Sequence, residues 1–208
     1  MSATVVWRHP KKRHAKTTLV LLLHGRGADE YDLIDIADRM PPRFAFASLR
    51  APVALPDGGF TWFESRGAGQ PILPSLRASV TDLRDWIEEV GTSDYHGPVV
   101  LFGFSAGMMM AGALLLDEPA RYAGAVLLSG AFAFDTASAV APERLAGVPV
   151  FYGSGLFDDV IPHDLVTRTA AYLAERSGAL LTLREYPIGH GISGPELADI
   201  AAWLGDVA

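Results

Sequence analysis

The pentapeptide Gly103-Phe104-Ser105-Ala106-Gly107 lies between a short apolar run, 98–102, and an apolar segment that continues to about residue 116. A serine on a strand-to-helix turn is held with its hydroxyl projecting, and glycines two residues to either side keep side chains out of the crowded backbone. The helix start also sets main-chain N–H groups and a positive dipole end beside the oxyanion that attack on a carbonyl would create. These residues point to Ser105 as a nucleophile. Its hydroxyl is weak unless a base removes the proton, and that base is usually a histidine steered by a carboxylate.

Where the nucleophile occupies such a turn, acid and base follow it in the chain. Of six histidines only His163 and His190 follow Ser105. His163 comes after Pro162 at the first turn of an expected helix, an ordinary capping position. His190 stands in Gly189-His190-Gly191 just after the last strand-like run, so it is the expected base. His9 and His14 fall in a basic connection with Arg8, Lys11, Lys12, Arg13 and Lys16, and His96 in a polar turn; all three are expected at the surface. The acid is sought in Asp158-Asp159, after the run 148–152. Adjacent loop residues point different ways, so one carboxylate reaches the histidine and the other serves its own loop. Residue chemistry leaves Asp158 and Asp159 open, with Asp135 as a third candidate.

A second oxyanion donor is expected from His24-Gly25-Arg26-Gly27, again at a strand end. The donors would be the backbone N–H groups of Arg26 and of Ala106. The Arg26 side chain is a candidate partner for an anionic substrate, the alternative being a solvated charge. His24 is either structural or part of the substrate pocket. The loop 56–74 carries Phe60, Trp62 and Phe63 among glycines, giving Trp62 and Phe63 as candidate substrate contacts; the alternative is a satellite apolar cluster under a long loop. Met108, Met109 and Met110 are expected mainly to fill the core, the alternative being an acyl channel.

The elements that must position these groups alternate short apolar runs with helix-period segments, the pattern of an α/β protein with a mostly parallel sheet. Strands are expected at 4–7, 17–23, 44–49, 98–102, 123–128, 148–152 and 180–186. Helices are expected at 75–90, from about 104 to 116, briefly at 142–145, then at 163–176 and 195–204. In the helix at 75–90, Leu76, Val80, Leu83, Ile87 and Val90 form one stripe. Ligands of such sheets collect beyond the carboxyl ends of the strands, where the motif residues fall.

With 208 residues the chain suits a single domain, 1–208. Its 17 basic and 24 acidic residues give a net charge of −7, which argues against nucleic-acid binding. Without cysteine, disulfides, thiolate metal sites and a cysteine nucleophile are excluded. No run is long enough for a membrane span or a signal h-region, and a cytoplasmic location is expected.

Taken together, Leu21-Leu22-Leu23-His24-Gly25-Arg26-Gly27-Ala28-Asp29, Arg50-Ala51-Pro52, Gly103-Phe104-Ser105-Ala106-Gly107, Asp158-Asp159-Val160-Ile161-Pro162 and Gly189-His190 resemble the phospholipase/carboxylesterase family of the α/β-hydrolases, which includes acyl-protein thioesterases. The resemblance spans almost the whole chain. It implies an α/β-hydrolase fold with helices on both faces of a mostly parallel sheet, and a triad of Ser105, Asp158 and His190. Asp158 is picked because the family acid lies four residues before the proline. A carboxylesterase is implied, acting on a small ester, thioester or lysophospholipid without metal or cofactor. Family members often form homodimers. Two departures bear on the substrate rather than the reaction: Ala106 stands where thioesterase members commonly have Gln, and Gly153-Ser154-Gly155 where they often have His-Gly. The short stretch between Ser129-Gly130 and Val148 leaves no room for a sizeable lid.

Overall fold

The computed structural model describes residues 3–12, 14, 16–93, 95–134 and 140–207, apart from the side chains of residues 92 and 93. Seven strands form the main sheet: β1 (Val5–Arg8), β2 (Leu19–Leu23), β3 (Ala45–Leu49), β6 (Val99–Phe104), β7 (Tyr122–Leu128), β8 (Pro149–Gly155) and β9 (Leu180–Tyr186). Their spatial order is β1-β3-β2-β6-β7-β8-β9. Only the edge strand β1 runs antiparallel, against β3. The remaining pair, β4 (Val53–Ala54) and β5 (Phe60–Thr61), makes a small hairpin beside the sheet. The expected mostly parallel α/β architecture is therefore present.

Strand β2 shows why the layers form. All five of its residues are buried, and their side chains alternate between two cores. Leu19, Leu21 and Leu23 enter the core shared with helices α1 (Leu73–Ser93), α2 (Ala106–Asp117) and α3 (His163–Glu175), while Val20 and Leu22 enter the core under α4 (Gly194–Val207). Period-two alternation in a strand covered on both faces reads as a continuous apolar run. Helix α2 is apolar nearly all round because it lies on the central strands: Met108, Met110, Ala111 and Leu115 are completely buried. Since β2, β6, β8 and β9 run the same way, the loops that follow them emerge at one end of the sheet.

One helix expected from the sequence is absent. Residues 142–147 form turns, and Glu143 takes φ +55°, outside the helical region. The N–H groups of Glu143 and Leu145 bond instead to the carbonyls of Arg176 and Ser177, each at 2.7 Å. Tertiary partners thus replaced the local ladder. Two short 3₁₀ helices unforeseen in the sequence, Ile34–Arg39 and Pro119–Arg121, lie in the connections. No helix among the described residues is long and apolar enough to cross a membrane.

Candidate active site

Ser105 is the residue between β6 and α2. Its φ of 56° and ψ of −117° are strained for a residue with a Cβ, and the surroundings hold it there. Its N–H donates to Leu128 O at 3.0 Å, and its carbonyl accepts from Met109 N–H at 3.2 Å. The flanking glycines are required by close approach: a Cβ on Gly103 would strike the Gly107 carbonyl, and one on Gly107 would strike the Leu23 carbonyl. The β6–α2 turn is therefore locked against the ends of β2 and β7, with its hydroxyl outward.

His190 lies on the loop between β9 and α4. Its Nε2 is 2.9 Å from Ser105 Oγ, and its Nδ1 is 2.9 Å from Asp158 Oδ2. A carboxylate only accepts, so Nδ1 carries the proton and Nε2 is left to accept from the serine hydroxyl. The ring rests on Phe104, with centroids 5.0 Å apart. Ser129 Oγ donates to Gly191 O at 3.2 Å, tying the loop to the end of β7. Farther along, Ser193 and Glu196 form a reciprocal cap at the start of α4, each backbone N–H donating to the other's side chain at 3.2 Å. Glu196 is fully buried and one carboxylate oxygen has no hydrogen-bond partner, so burial pushes its carboxyl up to about 7.

Asp158, after β8, uses both oxygens. Oδ2 meets His190, while Oδ1 accepts from the N–H groups of Val160 at 2.9 Å and Ile161 at 3.1 Å. Its side chain is only 5% exposed. The expected division of labour between two neighbouring carboxylates does not occur: Asp158 serves the histidine and its own loop, and Asp159 is exposed. Asp135 lies outside the described residues.

A cavity of about 400 Å³ opens beside Ser105, walled by Arg26, Phe63, Arg66, Ala106, Met109, Ala131, Val160 and Ile161 among others. Arg26 and Ala106 bring together the two backbone segments expected to face an oxyanion. The Arg26 turn is pinned by Gly27 N–H to Phe60 O at 2.8 Å and by Phe60 N–H to Ala28 O at 2.9 Å. Ala106 is the first residue of α2, where backbone N–H groups lack helical partners. A serine hydroxyl hydrogen-bonded to an imidazole, a carboxylate on the other ring nitrogen and two backbone segments lining the same cavity are a set of groups suited to acyl transfer.

Phe63 lies in that wall, as expected, but His24 and Trp62 do not. His24 is completely buried, with Nδ1 donating to Gly25 O at 2.7 Å and Nε2 accepting from Ala51 N–H at 3.1 Å. Burial holds its pKa below the ordinary imidazole value. Trp62 packs on it and donates Nε1–H to the His24 carbonyl at 2.8 Å. Both are therefore struts joining the β2 end to the β4–β5 hairpin, and Trp62 lines a separate cavity of about 240 Å³ with Leu49, Arg50 and Phe60. His9, His14, His96 and His163 are all exposed, and His9 in addition stacks on Trp7 and pairs its Nδ1 with Tyr95 Oη at 2.5 Å. Met109 joins the wall, the acyl-channel alternative to core filling, while Met108 and Met110 are in the core; Arg66 is not foreseen, since no local pattern marks a loop arginine as facing a cavity.

Comparison with known proteins agrees with the fold. Residues 6–207 match the family model described as Phospholipase/Carboxylesterase. MhqD of Bacillus subtilis is 25% identical over 94% of this chain and 96% of its own length, and acyl-protein thioesterase 1 of Cryptococcus neoformans is 25% identical over 94% and 93%. The crystal structure of a Bacillus cereus carboxylesterase superposes with a TM-score of 0.86 at 24% identity, covering 100% of this chain and 95% of that one. The chain belongs to the phospholipase/carboxylesterase family and is an α/β-hydrolase of the carboxylesterase and thioesterase type.

Proposed function

We propose that the chain hydrolyses carboxylic esters through an acyl-serine intermediate, with Ser105 as nucleophile, His190 as general base and acid, and Asp158 as the group that orients the histidine. The observation that carries this reading is the continuous Asp158–His190–Ser105 relay, with both links at 2.9 Å, ending at a strained serine in a cavity wall.

In the first half-reaction Ser105 Oγ attacks the ester carbonyl as its proton passes to His190 Nε2. Negative charge gathers on the carbonyl oxygen, where the N–H groups of Arg26 and Ala106 and the start of α2 stabilise it. Asp158 holds the Nδ1–H tautomer and stabilises the imidazolium. The histidine then protonates the departing alcohol. Water repeats the cycle on the acyl-enzyme and releases the acid. Phe63, Met109 and Ile161 give the pocket its apolar surface.

The test is fluorophosphonate labelling located by mass spectrometry, run beside turnover of 4-nitrophenyl esters of graded chain length and of an acyl thioester. Labelling at Ser105 with ester turnover is the expected result. Absence of both would sink the hydrolase mechanism; a strong preference for the thioester would move the activity to the thioesterase branch.

A further inference from the structure

We infer that the cavity selects small esters carrying an anionic group, a carboxylate or a phosphate, away from the reacting carbonyl, with Arg26 and Arg66 as the selecting residues. This inference rests on the ester-hydrolase reading above and adds a substrate class to it.

The cavity wall holds two arginines and no carboxylate, although the chain as a whole carries −7. Both arginines are exposed, and neither has an ion-pair or side-chain hydrogen-bond partner among the described residues. Some arginines of the surface are neutralised by carboxylates: Arg8 pairs with Asp35, Arg50 with Glu30, Arg84 with Asp117, and Arg121 with Glu88 and Glu118. Two unpartnered guanidiniums on one cavity without a carboxylate give that cavity a local positive charge in an otherwise acidic protein. The carboxylates nearest the two arginines in sequence are already placed: Glu30 pairs with Arg50, Asp29 accepts from the Tyr31 N–H, and Glu64 is exposed outside the wall. Asp158 is engaged by His190.

The backbones carrying these arginines are fixed. The Arg26 turn is bonded to Phe60, as described above. Arg66 sits in a tight reversal in which its N–H donates to Gln70 O at 3.0 Å and Gln70 N–H donates to Gly67 O at 3.1 Å. A bridge between Ser65 and Pro71 closes the same loop. Two long cationic side chains thus start from ordered positions on one cavity, on segments that are far apart in sequence. A guanidinium offers paired donors matched to carboxylate and phosphate oxygens, so the two together favour an anion over a neutral group of similar shape. At about 400 Å³ the cavity suits a small ester.

The test compares kcat/KM, measured by proton release at constant pH, for two matched pairs: monomethyl glutarate against methyl pentanoate, and 2-acetoxyethyl phosphate against 2-methoxyethyl acetate. The expected result is a preference of about ten-fold or more for one or both anionic esters at low ionic strength, shrinking in high salt. The pair with the larger ratio identifies carboxylate or phosphate as the recognised group. Arg66→Gln and Arg26→Gln should each lower the anionic-to-neutral ratio, and Arg66→Lys should restore part of it, because charge is kept and the planar fork is lost. A wild-type ratio at or below one with the neutral esters cleaved overturns the inference and leaves the hydrolase reading standing. So does a high ratio that neither Gln variant changes. If no ester is cleaved and Ser105 takes no fluorophosphonate, the hydrolase reading itself falls and takes this inference with it.

Discussion

His24 and His190 occupy equivalent places in the sequence pattern, each just beyond a parallel strand and each followed by glycine, yet the fold uses them in opposite ways. His190 faces a serine hydroxyl and a carboxylate, and its side chain keeps 18% exposure. His24 has no exposure, and both ring nitrogens are taken by backbone groups. The difference lies in what covers each loop. The β4–β5 hairpin and Trp62 close over the end of β2, whereas the loop carrying His190 lies beside the open cavity. A strand-end histidine becomes available for proton transfer only where a second element leaves one ring nitrogen facing a hydroxyl.

The contrast can be broken most sharply at the serine side. Ser105→Ala should lower kcat for ester hydrolysis by about 10⁴-fold or more, and adding His190→Ala should cost little further, because the pair acts as one unit. A double variant much worse than either single one would show that His190 has a separate role. Next comes the acid: Asp158→Asn should reduce kcat by about 10² to 10⁴-fold, since the wrong histidine tautomer is favoured. Asp159→Asn should stay within about three-fold, as exposed substitutions usually do. The reverse order of losses would reassign the acid.

The His24 side should respond in stability instead of chemistry. His24→Ala leaves the buried Ala51 N–H without its acceptor and opens a void beside Trp62, so urea unfolding should show a loss of about 2–4 kcal/mol. The kcat of the folded fraction should change by no more than about three-fold. A large fall in kcat with unchanged stability would return His24 to the substrate pocket.

The smallest effects are pH slopes of stability, which separate two buried groups. His24 has its pKa lowered by burial, so the unfolded chain binds more protons below the ordinary imidazole value. Its stabilising contribution is complete above about pH 6.5 and is lost as pH falls below that. Glu196 is raised by burial from 4.5 to about 7, so its contribution is complete below pH 4.5 and is lost as pH rises through 7. Glu196→Gln should therefore flatten the decline between pH 5 and 7, by about 1–3 kcal/mol across that interval. An unchanged slope in that variant would show that Glu196 ionises normally.

Much of the site was legible because its signals are local. The Gly-x-Ser-x-Gly turn needs only five residues, and the two glycines sit where backbone carbonyls pass too close for a Cβ. His190 followed from chain order. The choice between Asp158 and Asp159 was not local, since it depends on Asp158 also capping Val160 and Ile161 within the loop. The missing helix at 142–145 has the same origin: the N–H groups of Glu143 and Leu145 found carbonyls more than 30 residues away.

By itself the sequence determined the alternation of strands and helices, the serine turn and the strand-end histidine proposed as nucleophile and base, and the exclusion of cysteine chemistry, because each rests on residue type, chain order or short-range periodicity. Tertiary structure decided which aspartate meets the histidine, which strand-end histidine is buried, and that Arg66 and Met109 join Ser105 in one cavity. Those facts depend on how loops distant in sequence pack against one another, and burial and hydrogen-bond partners exist only once they have done so.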